Sequence, residues 1–292
     1  MNIDQMMSGA VDLHVHCGPD PFTERRVHAN QLAVEAKQAG MRAVVIKNHA
    51  FSTALLAQLV NEINGTPILA GSIALNSSVG GLNPDVVEAS AHAGAKVIWL
   101  PTLSAMEEIR VNPHAANHSP TNANQTQNPA GIDFLDSKGC LVPEIFPILE
   151  IIKRYNLALA TGHLSIPEVF AVAAAALEKK IDVIITHPFA KPFGDSIKVE
   201  QARELVRKGA VIEFCFLACM PPMRITPEEV IGMIRTLGAE NCVLSTDLGQ
   251  AFNPPPAEGF RMMIANMFRF GMTEKELEAL VKINPARLLR LG

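Results

Sequence analysis

The sequence predicts an α/β protein in which eight strand–helix units close into a (β/α)8 barrel, a single domain over residues 1–292 with a long loop after the fourth strand. Three observations predict it. Short β-branched runs alternate with longer stretches of helical periodicity, which is the pattern of repeated βα units around a parallel sheet. Eight such pairs can be counted along the chain. Proline near helix starts and glycine at helix ends punctuate them, so the local signals agree with the count. An open doubly wound sheet is the competing architecture, but it needs a reversal of strand order that nothing in the sequence displays.

The strands are expected at 11–16, 42–47, 67–74, 96–101, 158–161, 182–186, 210–216 and 242–246. Helices are expected at 29–39, 53–63, 84–93, 143–155, 167–179, 198–208, 227–237 and 256–270. Pro84, Pro167 and Pro227 fall in first turns, where the missing N–H costs nothing. Gly40, Gly94, Gly209, Gly238 and Gly271 follow helix ends and turn the chain toward the next strand. One segment is out of proportion. Residues 102–138 are rich in Asn, Pro, Ser, Thr and Gln and leave the C-terminal end of the fourth strand, where active sites of such barrels lie. A substrate lid is the expectation there.

Composition bounds the function. A chain of 292 residues that is 48% hydrophobic can bury the core of one barrel. The net charge is -4 and no block of Lys or Arg stands out, so the electrostatic footprint of a nucleic-acid binder is missing and a small-molecule substrate is expected. Five cysteines, an odd number without CxxC spacing, point to reduced thiols in a cytoplasm rather than a disulfide framework. Neither a signal peptide nor an apolar run of roughly 20 residues is seen, so no membrane partner is expected. A homo-oligomer is compatible with everything above, and the sequence does not fix the oligomeric state.

The chemistry concentrates at strand ends. In Asp12-Leu13-His14-Val15-His16 the two imidazoles are two residues apart near the end of the first strand and so share a face. Two neutral imidazoles converging on one point are what a zinc-like ion needs. His163 closes Thr161-Gly162-His163 after strand five, His187 closes Thr186-His187-Pro188 after strand six, and Asp247 closes Ser245-Thr246-Asp247 after strand eight. In a closed barrel these ends ring one mouth. The blander reading is that His163 and His187 only cap their strands; that five His and Asp residues all fall at strand ends argues against it.

These motifs, with the terminal Asn284-Pro285-Ala286-Arg287, resemble the amidohydrolase superfamily of metal-dependent TIM-barrel hydrolases over nearly the whole chain. The resemblance implies that His14, His16 and Asp247 bind the more buried divalent cation, while His163 and His187 bind a second cation or position the substrate. It implies that Asp247 takes the proton from the water the cation activates. A nitrogen-rich set favours Zn, with Mn, Fe or Co also admissible, as one ion or two. The Asn-Pro-Ala-Arg string is expected to pack the barrel base. The sequence departs from the family at strand four, where Val97-Ile98-Trp99-Leu100 offers no bridging Lys or Glu.

Lys47, ending strand two, is the candidate replacement, either carboxylated into a bridging ligand or cationic toward a substrate acid. A lysine reaching out to solvent is its bland alternative. His49 shares the Lys47 face, Arg25 and Arg26 follow the first strand, and His114 and His118 lie in the long loop; all five are expected as substrate-binding groups, with ordinary surface roles as the alternative. Cys215 and Cys219 are expected to be apolar filler. The reaction expected is hydrolysis of an amide, lactone, ester or phosphoester of a small molecule. Alternatives are a metal-dependent lyase, hydratase or decarboxylase acting on a carboxylated small molecule, a DNase, and a non-catalytic metal-binding barrel.

Overall fold

The computed structural model describes residues 2–112, 131–189, 196–221 and 223–292. Its strands are β1 (Val11–His16), β2 (Ala43–Lys47), β3 (Leu69–Ala74), β4 (Ala95–Trp99), β5 (Ala158–Ala160), β6 (Val183–Ile185), β7 (Val211–Cys215) and β8 (Cys242–Ser245). They pair in sequence order and in parallel from β1 to β8. Backbone bonds just beyond β8 bring the barrel round: the Asp247 N–H donates to the His14 carbonyl at 2.7 Å, and the His16 N–H donates to the Leu248 carbonyl at 2.8 Å. The expected (β/α)8 fold is therefore the observed one.

The helices are α1 (Ile3–Met7), α2 (Ala29–Gln38), α3 (Ala54–Asn64), α4 (Pro84–His92), α5 (Met106–Val111), α6 (Ile145–Arg154), α7 (Ile166–Glu178), α8 (Val199–Arg207), α9 (Pro227–Leu237), α10 (Pro256–Arg269), α11 (Glu274–Glu278) and α12 (Asn284–Leu288). Local chemistry sets their starts. Ser165 opens α7 with Glu168 reaching back to its N–H at 2.9 Å, and Thr226 opens α9 with Glu229 doing the same at 2.8 Å.

Two apolar layers sit on either side of the sheet. The larger lies between strands and helices, where Leu32, Ile148, Val172, Leu205, Ile234 and Phe260 are buried. The smaller fills the barrel itself with Val11, Leu13, Val45, Val97 and Val243, and is closed at the base by Ala286, Leu288 and Leu289 around α12. Asn284 fixes that plug by donating its amide to the Ala239 and Cys242 carbonyls at 2.8 and 2.7 Å. The Asn-Pro-Ala-Arg string thus packs the base, as its position suggested.

The segment after β4 corrects the expectation of an unbroken loop. It contains α5, and its two ends are stitched together where Ile132 N–H donates to Ser104 at 2.8 Å and Met106 N–H donates to Ile132 at 3.1 Å. Buried Phe134 anchors the return, its N–H held by Glu168 at 2.7 Å. Residues 113–130 lie outside the described residues, and with them His114, His118 and the middle of the segment expected as a lid.

No helix among the described residues is long and apolar enough to cross a membrane. All five cysteines are free.

Candidate metal centre

The inner faces of the strand ends build the site. Strand β1 carries an irregularity against β2 between Asp12 and Val15, three steps on one strand facing two on the other. An added residue of this kind turns the following side chains. Leu13 consequently belongs to the barrel filling while His14, its neighbour, also meets inward residues. The turn is locked from behind by buried Asp12. Its carboxylate accepts the N–H groups of His14 and Thr246, each at 3.1 Å, and pairs with the Thr246 hydroxyl at 2.6 Å, tying β1 to the end of β8. Burial, opposed by the Thr246 hydroxyl, raises the Asp12 carboxyl to about 7.

Asp247 stands at the centre. Its Oδ1 is 3.1 Å from His14 Nε2 and 3.2 Å from His16 Nε2. Burial works against its charge, but His14, His16 and His187 outweigh burial and hold the carboxyl well below its ordinary range. Burial depresses the imidazoles of His16 and His187 to about 3 each, so both are neutral and carry a free lone pair near neutral pH. Asp247 adopts φ 53 and His187 φ 27, a left-handed backbone that non-glycine residues seldom take. Such strain gathers where a side chain must be aimed.

Glycines make room for these turns. At Gly162, before His163, a Cβ would lie 2.4 Å from the Leu100 carbonyl oxygen; at Gly249, two residues past Asp247, it would lie 2.0 Å from that of His16. Only glycine permits both approaches.

His187 bridges to the second group, its ring 5.9 Å from that of His14 and 5.2 Å from that of His163. His163 Nδ1 is 3.1 Å from Glu108 Oε2, so α5 is fastened to the mouth. Lys47 is buried under Trp99, its Nζ 5.3 Å from the indole centre and 3.0 Å from His14 Nε2. Burial lowers its pKa, against the pull of Asp247 and Glu213. Lys47 therefore does not reach out to solvent. Trp99, at the end of β4, lies with its ring 5.4 Å from that of His14.

His49 stacks on His16 at 4.9 Å and its Nδ1 meets the Thr102 hydroxyl at 2.8 Å, which places it at the mouth. Arg25 is nearly buried, with Nε and one terminal nitrogen on Asp20 at 2.9 and 2.7 Å, and its charge reaches His16. Arg26 is exposed and stands apart from that ion pair.

Three residues enter that sequence reasoning missed. Glu213 is buried on β7 with Oε2 3.3 Å from His14 Nδ1. Its signal was one acid inside the apolar run Val211-Ile212-Glu213-Phe214-Cys215. Cys215, expected to be filler, corrects that view: its Sγ is 3.9 Å from His14 Nδ1, and among the described residues His14, Cys215 and Asp247 form a cluster whose ligand-type atoms all lie within 4.8 Å of one another. Residues two apart on a strand share a face, so Glu213 and Cys215 both look inward. Glu108 gave no comparable signal, because α5 itself was not foreseen.

The residues fit a divalent cation. The neutral imidazoles of His16 and His187 converge with the ionised Asp247 carboxylate, and the buried Nδ1 atoms of both rings have no hydrogen-bond partner. Buried polar atoms are rarely left so.

Solved structures similar to this chain share its fold. An amidohydrolase from Pseudomonas aeruginosa aligns with TM-score 0.65 and 10% identity over 99% of this chain and 98% of that one. A probable 2-pyrone-4,6-dicarboxylic acid hydrolase from Acinetobacter baumannii, with citric acid bound, aligns at 0.61 and 11% over 97% and 100%. A mutant of an organophosphorus hydrolase from Deinococcus radiodurans aligns at 0.57 and 16% over 99% and 95%. No curated protein matches the chain. The family profile that matches residues 9–213 spans His14, His16, Lys47, His163, His187 and Glu213, and by that match the chain belongs to DUF6282, a family of unknown function.

Proposed function

We infer that this protein is a metal-dependent hydrolase of the amidohydrolase type, acting on an amide, lactone, ester or phosphoester of a small molecule. The observation that carries the reading is the meeting of His14, His16 and Asp247 at one carboxylate oxygen, 3.1 and 3.2 Å from the two Nε2 atoms. These three residues would hold the cation, with His163, His187 and Lys47 available to a second ion or to substrate. The barrel shared with proteins described as hydrolases supports the reading at the level of fold.

A divalent cation, when bound, supplies Lewis-acid polarisation of an electrophilic oxygen and acidifies a water molecule. The chain's own residues do the rest. Asp247, held ionised, accepts the proton of the attacking water and carries it toward the leaving group. His187 and His163, their rings 5.2 Å apart, are left to the electrophile or a second ion, with Glu108 fixing the His163 ring. Arg25 and His49 line the approach and orient the substrate; Arg25 is held by Asp20, so its planar head meets an anion without being reordered. The donor set of nitrogen and oxygen favours Zn, with Mn, Fe or Co admissible.

Complete removal of metal by chelation should abolish turnover across a panel of lactones, amides and phosphotriesters, and readdition of Zn or Mn should restore it. Turnover that survives chelation overturns the reading.

A further inference from the structure

The barrel contains a buried carboxylate that neither the cation nor the proton transfer described above employs. Glu213 lies in the middle of β7, almost wholly out of water. An ionised carboxylate in such a place costs several kcal/mol unless a partner offsets it. Its hydrogen-bond partner is His14, at 3.3 Å from Oε2 to Nδ1.

The neighbours of His14 differ at its two nitrogens: Nδ1 faces a carboxylate oxygen, which can only accept, and Nε2 lies 3.0 Å from Lys47 Nζ, so the arrangement favours the ring proton on Nδ1. Two groups face that N–H, Glu213 at 3.3 Å and the Cys215 sulfur at 3.9 Å. A bond to a charged carboxylate is roughly twice as strong as a neutral one, and a thiol sulfur is a weak acceptor. Glu213 accepts that N–H, and the proton stays on Nδ1. With the proton on Nδ1, the Nε2 lone pair lies on the side of the ring where Lys47 Nζ and Asp247 Oδ1 stand, 3.0 and 3.1 Å away. A cation held by Nε2 and Oδ1 would take the place of the Lys47 contact.

We propose that Glu213 is the positioning residue of His14: by accepting the hydrogen bond of the Nδ1–H it fixes the tautomer and ring plane that present Nε2 to the cation. The consequence for the cation rests on the reading of the site given above; the tautomer does not. A carboxylate on the far nitrogen of a liganding imidazole raises its basicity and holds its orientation.

The test has two arms. In metal-free protein labelled with 15N-histidine, the His14 Nδ1 proton should give a downfield, slowly exchanging resonance, assigned by its loss in His14→Gln. Glu213→Gln keeps an acceptor without the charge and should move that resonance upfield; Glu213→Leu should lose it. In the second arm, competition against a chromophoric chelator should show Co2+ affinity falling about 10-fold in Glu213→Gln and up to about 100-fold in Glu213→Leu. A resonance unmoved in both variants, or native Co2+ affinity in both, overturns the proposal. If Glu213→Leu does not fold, an unmoved resonance in Glu213→Gln overturns it alone. Native protein that shows the Nδ1 signature yet binds no Co2+ supports the role of Glu213 and defeats the cation reading instead.

Discussion

Lys47 Nζ lies 3.0 Å from His14 Nε2, so a buried amine flanks the imidazole lone pair that also faces Asp247. An ammonium and a divalent cation cannot share that lone pair. A cation bound by His14 requires Lys47 to turn away, lose its proton or change sign by carboxylation, and burial already depresses its pKa in the direction that frees the amine.

A measurement of metal stoichiometry follows from this. Without bicarbonate the native protein should hold one ion per chain, because Trp99, not an anionic side chain, lies beside His14 at the end of β4 and an unmodified Lys47 brings no negative charge. With bicarbonate, a carboxylated Lys47 supplies the missing negative bridge and the count should rise toward two. Lys47→Met should stay at one under both conditions, as read by elemental analysis. A native count that ignores bicarbonate would remove Lys47 from the ligand set.

Asp247→Asn should lower kcat by about 10²–10⁴-fold, the range expected when a positioned proton acceptor is lost. The amide also lacks the charge that His14 and His16 stabilise, so metal content should be measured beside activity. Near-native activity at full metal occupancy would assign the proton transfer to another group.

Gly249→Ala tests how the β1 and β8 ends are held together. Its Cβ would meet the His16 carbonyl oxygen at 2.0 Å, and the residue sits at φ 144. Because the obstacle is backbone, β1 must shift and take His16 with it. Gly65→Ala is the control: it shares a left-handed φ of 60 but has nothing within 4 Å of the added carbon. Left-handed strain alone costs roughly 1–2 kcal/mol. Gly249→Ala should therefore lose more stability than Gly65→Ala and also weaken metal binding, whereas the control should bind metal normally. Equal losses with unchanged metal affinity would show that the close approach does not position His16.

How much of this was legible follows from the range of the signals. Each of the eight strands and eight long helices showed itself within a few residues, because period, proline and glycine are local properties. His14, His16, His163, His187 and Asp247 were legible for a related reason: a strand end is a local landmark, and a parallel barrel carries all such ends to one mouth. Glu213, Cys215 and Trp99 were not, because which face of a strand looks inward is settled only once neighbouring strands are paired. The irregularity in β1, which lets Leu13 and His14 both reach the interior, breaks the simple alternation a reader would apply. Helix α5, with Glu108, was hidden in polar composition that reads as loop; contacts with Ile132 and His163 define it more than its own six residues do.

Asp12 offers a prediction about pH. Its carboxyl is raised by burial from 3.8 to about 7, so between those values the folded chain keeps a proton that the unfolded chain has released. Stability from this group is complete below 3.8 and is lost as pH rises toward 7. A shift of about 3 units corresponds to something on the order of 4 kcal/mol at full extent. Asp12→Asn removes the titration and keeps the geometry: its amide oxygen can accept the His14 and Thr246 N–H groups while its NH2 donates to the Thr246 hydroxyl, replacing contacts now at 3.1, 3.1 and 2.6 Å. In metal-free protein, denaturant unfolding of native and variant at a series of pH values should show the native chain losing ground to the variant as pH climbs from about 4 to 7. Taking the difference between the two chains cancels the acid-side titrations of Asp247 and Glu213, which both retain. A difference independent of pH would mean that Asp12 is ionised in the fold, with the Thr246 contacts offsetting its burial.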